Sequence, residues 1–168
     1  TAYVNLEAVH LFSISQTKLT QDSEGRCSEI EHNKNRITNL MKVPVVQSVL
    51  RYAYLRQYDD EYQERHIAKG ATFSTALLPY LHACSETDAK RLYNYMHIGS
   101  EDQNVEYDEI KALLEKNYGC LGITCAQVGG FFKGGEYRQG SIPCTDEIEI
   151  IDRTPASSRP IASDQSSS

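Results

Sequence analysis

A chain of 168 residues with 40% hydrophobic side chains is long enough for one compact domain with a core, or for one lobe of a larger protein. Its net charge of −6 and its pI of about 5.4 exclude the basic surface that nucleic-acid binding requires. No apolar run approaches the ~18–20 residues that span a bilayer. Because the chain has no initiator methionine and no signal peptide, we expect a fragment or a processed chain, with any leader or membrane anchor outside it.

The N-terminal half of the chain is predicted to contain two helices joined by a loop. Apolar side chains recur at the period of a helix over residues 3–14, whereas residues 16–39 are polar and indicate a loop. Pro44 fits the first turn of a second helix, because that position needs no N–H donor. This helix is expected to reach Asp59 or beyond, since residues 59–64 contain no helix breaker.

Glycine and proline are expected to divide the rest of the chain into four shorter helices. Gly70 ends the preceding helix, and Pro79 kinks the next one because proline lacks an N–H donor and its ring clashes one turn back. Ser85 and Asp88 have the spacing of a capping box, and Asn104 is a further helix cap. The four predicted helices cover residues 71–83, 89–96, 105–118 and 123–128.

The predicted fold is therefore mainly α, a compact helical domain over residues 1–145 with glycine-rich turns. Residues 146–168 contain two prolines, a serine run and almost no apolar residue after Ile151. Such a composition buries too little apolar surface to offset the entropy of ordering, so we expect a disordered stalk or linker.

Five cysteines are many for a cytosolic domain of this size. Three interpretations are open: small buried thiols, metal-bound thiolates, or a secreted chain with two disulfides and one odd thiol. The spacing of Cys120 and Cys125 differs from the Cys-x2-Cys pair of zinc sites, and the secreted interpretation is favoured. These two are expected to lie near each other and to be oxidised, with each other or with Cys84 or Cys144.

Tyrosine is frequent, with eleven residues and no tryptophan, and part of this set forms a regular pattern. Four ring-bearing residues recur at every fourth position: Tyr54, Tyr58, Tyr62 and His66. On one continuous helix they would share a face, with Asp59 and Asp60 on an adjacent flank. Ferric iron prefers phenolate and carboxylate oxygens, with imidazole as a further donor, so the pattern indicates a metal site. The alternative is a packing face whose hydroxyls reach water.

Several segments of the chain resemble a known family. Residues 78–84 have the pattern Leu-Pro-x-x-His-x-Cys at the end of a small-residue helix, followed by Ser-Glu-Thr-Asp-Ala at 85–89 and an aromatic helix at 92–96. Together with the glycine- and cysteine-containing stretch 117–130, these segments resemble the algal iron-assimilation proteins, which include the phytotransferrins. The resemblance extends over residues 43–144.

The resemblance implies a cell-surface protein that captures Fe(III) with a synergistic carbonate for high-affinity iron uptake. It also implies a tail that leads toward a plasma-membrane anchor, and release of iron in an acidic endosomal compartment, where protons compete for the ligands. It adds His82 to the candidate ligands, although a lone histidine in such a helix is otherwise a core residue. The carbonate needs a cationic neighbour, and Arg51, Arg56 and Arg65 are the candidates near the tyrosines.

No catalytic motif is present, because the chain lacks Gly-x-Ser-x-Gly, His-Glu-x-x-His and a phosphate-binding loop, and we expect no enzyme. Two functions of different classes are open. The first is the ferric-binding surface protein. The second is a disulfide-stabilised extracellular adhesion or interaction domain without metal, in which the tyrosines contact another protein. Only the first would develop the visible absorbance of a ferric–phenolate site.

Overall fold

The computed structural model describes residues 3–20, 26–99 and 106–146. This part of the chain forms seven helices and a two-stranded antiparallel sheet, which confirms the predicted mainly-α fold. The elements are α1 (Tyr3–Leu19), α2 (Arg26–Tyr58), α3 (Gln63–Cys84), α4 (Glu86–Met96), α5 (Tyr107–Glu115), α6 (Tyr118–Leu121), α7 (Cys125–Val128), β1 (Phe132–Lys133) and β2 (Glu136–Tyr137). In the described ranges, every helix is too short or too polar to cross a lipid bilayer. The predicted cap at Asn104 and, apart from Asp146, the predicted disordered tail 146–168 lie outside these ranges.

The predicted loop over residues 16–39 is wrong, because α1 and α2 occupy most of this region. Its polar residues lie on helix surfaces, where some of them join the two helices. The Arg36 side chain pairs with Glu7, and the Asn33 amide donates to Ser15 Oγ over 3.1 Å. These partners are far apart in the sequence, so apolar periodicity alone does not reveal a helix here.

Pro44 and Gly70 lie inside helices, in contrast to the predicted positions at helix ends. Pro44 is within α2, where its missing N–H removes one helix hydrogen bond. Gly70 is buried within α3, and a Cβ at this position would lie 2.8 Å from Met96 Cε of α4 and 3.5 Å from Tyr52 Cβ of α2. The glycine therefore allows three helices to approach closely. Pro79 also lies within α3.

The expected continuation of the second helix past Asp59 is wrong, because α2 ends at Tyr58. Side chains of the connecting segment replace hydrogen bonds that the helix ends lose. Gln63 Nε2 donates to the carbonyls of Arg56 and Asp59 over 2.9 and 2.8 Å. Asp59 Oδ1 accepts from the Glu61 N–H over 3.1 Å. These bonds turn the chain, and α3 then packs along α2.

The core lies mainly between α2, α3, α4 and α5. Its largest fully buried apolar side chains are Leu77, Leu81, Leu92, Met96, Leu114, Leu121, Val43, Val46 and Val49. Ser85 caps α4 by accepting from the Asp88 N–H, as its spacing predicts. The Asp88 carboxylate is buried and accepts from Asn117 Nδ2 over 2.9 Å and from Lys116 Nζ over 2.8 Å. This network joins α4 to the end of α5.

Two disulfides join the C-terminal segments to the helices, which confirms the predicted oxidation of Cys120 and Cys125. The pairs are Cys84–Cys120, 36 residues apart in sequence, and Cys125–Cys144, 19 residues apart. Each of the two neighbouring cysteines therefore has a distant partner. Cys27 is free and exposed. In the chain-entropy model, loops of these lengths stabilise the folded state by roughly 3–4 kcal/mol each.

Candidate functional site

The turn after Tyr58 divides the predicted tyrosine face into two separate groups. Tyr54 and Tyr58 lie in the last turns of α2, whereas Tyr62 precedes α3 and His66 lies in its first turn. The four side chains therefore do not share the face of one helix, and the expectation of a single continuous stripe is wrong. Each group has its own neighbours and its own chemistry.

The corner cluster, as we name Asp59, Tyr62 and His66, lies at the turn between α2 and α3. His66 is buried, with 8% of its surface exposed, and its ring lies 6.1 Å from the ring of Tyr52 and 6.4 Å from that of Tyr62. Asp59 Oδ2 lies 3.3 Å from His66 Nε2, within ion-pair distance but without the alignment of a hydrogen bond. Neither ring nitrogen of His66 has a hydrogen-bond partner in the described residues.

A buried imidazole without a partner is unusual, because almost all buried polar groups in proteins are hydrogen-bonded. The arrangement of His66 and Asp59 fits two donors to one cation. Two adjacent ligands with bonds of about 2.1 Å to a metal lie about 3 Å apart, and these two atoms are 3.3 Å apart. Within the described ranges, no three His, Cys, Asp or Glu side chains lie close enough to hold a metal ion. A metal here would therefore need a phenol or an external ligand as well.

The tyrosine cluster, as we name Tyr54, Tyr58, Tyr107 and Phe131, is an aromatic packing contact. The Tyr54 ring lies 4.5 Å from Tyr58, 5.3 Å from Tyr107 and 5.2 Å from Phe131, measured between centroids. Burial raises the pKa of the Tyr107 phenol far above its usual value, and the negative charges of Glu115 and Asp108 raise it further. This phenol therefore ionises less readily than an exposed tyrosine, which suits packing better than coordination as a phenolate.

The three candidate arginines have different surroundings. The Arg51 guanidinium lies 5.6 Å from the centre of the Phe131 ring, at the edge of the tyrosine cluster. Arg56 donates to the Tyr95 carbonyl over 2.6 Å, at the end of α4. Arg65 is exposed on α3, next to His66 in the sequence, and has no partner among the described residues.

His82 lies far from the corner cluster. It is 16 residues beyond His66 on the same helix, which corresponds to about 24 Å at a rise of about 1.5 Å per residue. Its side chain is exposed and lines an apolar groove with Leu78, Pro79 and Tyr93. The two histidines therefore cannot bind one ion, and the predicted metal set does not form a single site.

Two contacts of the structure are not predicted by the sequence patterns. The pattern places Asp59 only beside the tyrosine face, whereas in the structure its Oδ2 lies 3.3 Å from the buried imidazole of His66. The polar pair Asp59 and Gln63 is the signal that could have revealed the helix end, since both side chains satisfy backbone groups there. The contact of Asp88 with Asn117 joins residues 29 positions apart, and no local pattern marks it.

Comparisons with models of protein families, with curated proteins and with solved structures gave no match. The resemblance to iron-assimilation proteins therefore rests on the sequence motifs alone.

Proposed function

We propose that this protein binds ferric iron at the corner cluster and serves high-affinity iron uptake at the cell surface. The observation that carries the proposal is the buried His66 imidazole, which has no hydrogen-bond partner in the described part of the chain. A buried polar group without a partner costs about 1–3 kcal/mol, and coordination of a cation would remove this cost. Asp59, 3.3 Å away, supplies the neighbouring anionic donor.

The available donors favour a hard, highly charged cation. Asp59 and Tyr62 offer oxygen and His66 offers nitrogen, whereas four of the five cysteines are oxidised and cannot act as thiolates. Calcium and magnesium sites use carboxylates, carbonyls and water rather than imidazole or phenol. Fe(III) takes phenolate readily, and its charge favours ionisation of the Tyr62 phenol when it binds. Tyr62 is half exposed, so its hydroxyl is accessible to an entering ion.

Three protein donors leave coordination positions open, and carbonate is the proposed occupant. An anion at this place would reduce the excess positive charge of the ferric ion and would itself need a cation nearby. Arg56 is bonded to the Tyr95 carbonyl, and Arg51 lies over Phe131. Arg65 is therefore the arginine that we propose for the carbonate.

The disulfides support the proposed cell-surface location, and the proposed ligands explain the release of iron in acid. Two disulfides are typical of proteins that fold in an oxidising compartment. Imidazole, phenolate and carbonate all lose their metal-binding form when they are protonated. We therefore expect iron to bind near pH 8 and to be released toward pH ~5.

A ferric titration followed by visible absorbance, with and without bicarbonate, tests this proposal. We expect a coloured ferric–phenolate complex, and Tyr62→Phe should weaken binding at least tenfold, or about 1.4 kcal/mol. The matched control is Tyr80→Phe, because Tyr80 is 47% exposed and Tyr62 51%. Tyr80 lies on α3 away from the corner cluster, with Lys42 of α2 over its ring. A wild-type protein without a visible band, or an equal loss of affinity in both variants, would contradict the proposal.

The second candidate, an extracellular interaction domain without metal, is favoured by the outward face of α1. No residue of this helix is buried, and five large hydrophobic side chains on it are exposed: Tyr3, Leu6, Val9, Phe12 and Leu19. Such a face is typical of a surface that contacts another protein. A protein that stays colourless with Fe(III) and bicarbonate would support this function.

A further inference from the structure

A groove of about 480 Å³ lies between the first turn of α1, the middle of α2, α7 and the β1–β2 hairpin. Three exposed aromatic rings border it: Tyr3, Phe132 and Tyr137. The described residues that line the groove include no charged side chain, and none of them belongs to the corner cluster. The groove is therefore a separate surface with an uncharged, partly aromatic lining.

The hairpin beside this groove adds nothing to the core, since residues 132–140 are all exposed. It is nevertheless held firmly at its base. The Arg138 N–H donates to the Phe131 carbonyl over 2.9 Å, and the buried Ser141 hydroxyl donates to the same carbonyl over 3.0 Å. The disulfide of Cys144 closes the segment that follows. Two hydrogen bonds and a disulfide therefore fix the base of the hairpin that carries the exposed Phe132 and Tyr137 rings.

The two rings of the hairpin have defined positions. Phe132 and Tyr137 are partners across the strand pair, and their centroids lie 5.1 Å apart in an edge-to-face arrangement. The Tyr137 ring also packs against Gly130, where a Cβ would lie 3.0 Å from two of its ring carbons. A ring that is already held in place loses little conformational entropy when a ligand covers it.

Amide side chains supply the polar groups of the groove. Gln47 Nε2 donates to the Val128 carbonyl over 2.8 Å, which leaves its Oε1 as an acceptor. Gln127 Oε1 accepts from the Thr124 N–H over 3.0 Å, which leaves its Nε2 as a donor. Asn5 has no hydrogen-bond partner within the described ranges, so both of its groups are open to a ligand.

We infer that this groove binds a neutral glycan, with a hexose ring stacked on the hairpin aromatics and its hydroxyls bonded to the amides. A pyranose has apolar C–H faces and a rim of hydroxyl groups, which matches aromatic rings beside uncharged amides. The groove volume of about 480 Å³ lies in the range of small-ligand sites, roughly 300–1,000 Å³. An acidic glycan is disfavoured, because the protein carries a net charge of −6 and the groove offers no cation to an anion.

An NMR titration of the ¹⁵N-labelled protein tests this inference. The probes are hexasaccharides of β-1,3-glucan, β-1,4-glucan and β-1,4-mannan, with a hexamer of uronic acid as the acidic control. We expect at least one neutral probe to shift the side-chain amide signals of Asn5, Gln47 and Gln127, with a Kd of about 1 mM or below. The acidic hexamer should leave these signals unchanged.

A matched pair of variants locates the binding site. Phe132→Ala should weaken binding of the neutral probe at least tenfold, whereas Phe12→Ala should bind it like wild type. Both rings are similarly exposed, 57% for Phe132 and 60% for Phe12, but Phe12 does not line the groove. The inference is overturned if no neutral probe shifts the amides or if Phe132→Ala retains wild-type binding. An equal loss in Phe12→Ala would overturn it as well.

Discussion

The corner cluster and the tyrosine cluster come from one regular pattern of residues, yet they differ in chemistry. Tyr54 has three aromatic neighbours with ring centroids within 5.3 Å, so its ring mainly fills space. His66 has a carboxylate at 3.3 Å and two unpartnered ring nitrogens among the described residues. The comparison teaches that residue spacing did not decide the role of these side chains. Their roles depend on the turn after Tyr58. Because of this turn, Tyr54 packs against Tyr107 of α5, whereas His66 lies beside the Asp59 carboxylate.

Burial has opposite consequences in the two clusters. In the tyrosine cluster it raises the pKa of the Tyr107 phenol, which matches a ring that packs against other rings. In the corner cluster it leaves a polar ring without a hydrogen bond among the described residues, which is unfavourable unless a ligand binds there. We therefore expect substitutions in the first cluster to affect stability, and substitutions in the second to affect ligand binding.

The largest expected difference between the clusters is in the free energy of unfolding. Tyr54→Ala should lower it by about 3–5 kcal/mol, because it removes a buried aromatic ring and leaves a cavity. Tyr62→Ala should lower it by less than about 1 kcal/mol, since that ring is half exposed. Urea unfolding of both variants measures the difference. Equal losses would mean that Tyr62 also belongs to the packed structure.

The buried Asp88 carboxylate has hydrogen-bond partners, whereas the buried His66 imidazole has none among the described residues. Asp88→Ala should lower the free energy of unfolding by about 2–3 kcal/mol, because it removes the hydrogen bonds from Asn117 and Lys116. His66→Leu should not lower it, since no hydrogen bond is lost and an unpartnered polar ring is no longer buried. If His66→Leu proves as destabilising as Asp88→Ala, the imidazole is a structural residue.

Much of the fold could be predicted because its signals are local. The apolar period of residues 3–14, the cap at Ser85 and the short helix ending before Gly129 all depend on neighbours within one or two turns. The positions of Pro44 and Gly70 could not be predicted. Gly70 is required by contacts with α2 and α4, and a local pattern cannot distinguish this role from that of a helix breaker.

The candidate site could be predicted only in part. The rings of Tyr62 and His66 lie near each other, with centroids 6.4 Å apart, as their spacing in the sequence suggests. The contact with Asp59 and the separation from Tyr54 depend on where α2 ends, which is set by the side-chain bonds of Gln63. The distance of His82 follows from the unbroken course of α3 through Gly70.

The tyrosine cluster should also respond to alkaline pH. The pKa of Tyr107 is raised in the folded state, mainly by burial, so above pH ~10 its phenol ionises in the unfolded state first. The free energy of unfolding should therefore be unaffected by this phenol below pH ~10. Above that pH it should fall, by up to about 1.4 kcal/mol per pH unit. Tyr107→Phe should reduce this slope in urea unfolding between pH 9 and 11, with Cys27 alkylated. An unchanged slope would mean that the phenol is not protected from ionisation.

The most direct test of the account is whether His66 coordinates a trivalent ion. Ga(III) carries the charge of Fe(III) and is diamagnetic, so ¹⁵N spectra can follow all five histidine side chains during a titration with bicarbonate. The His66→Leu variant assigns the signal of His66. We predict that its Nε2 resonance shifts on addition of one equivalent of Ga(III), while the resonances of the other four histidines stay unchanged. An unchanged His66 signal, or a shift at His82 instead, would contradict the proposed site.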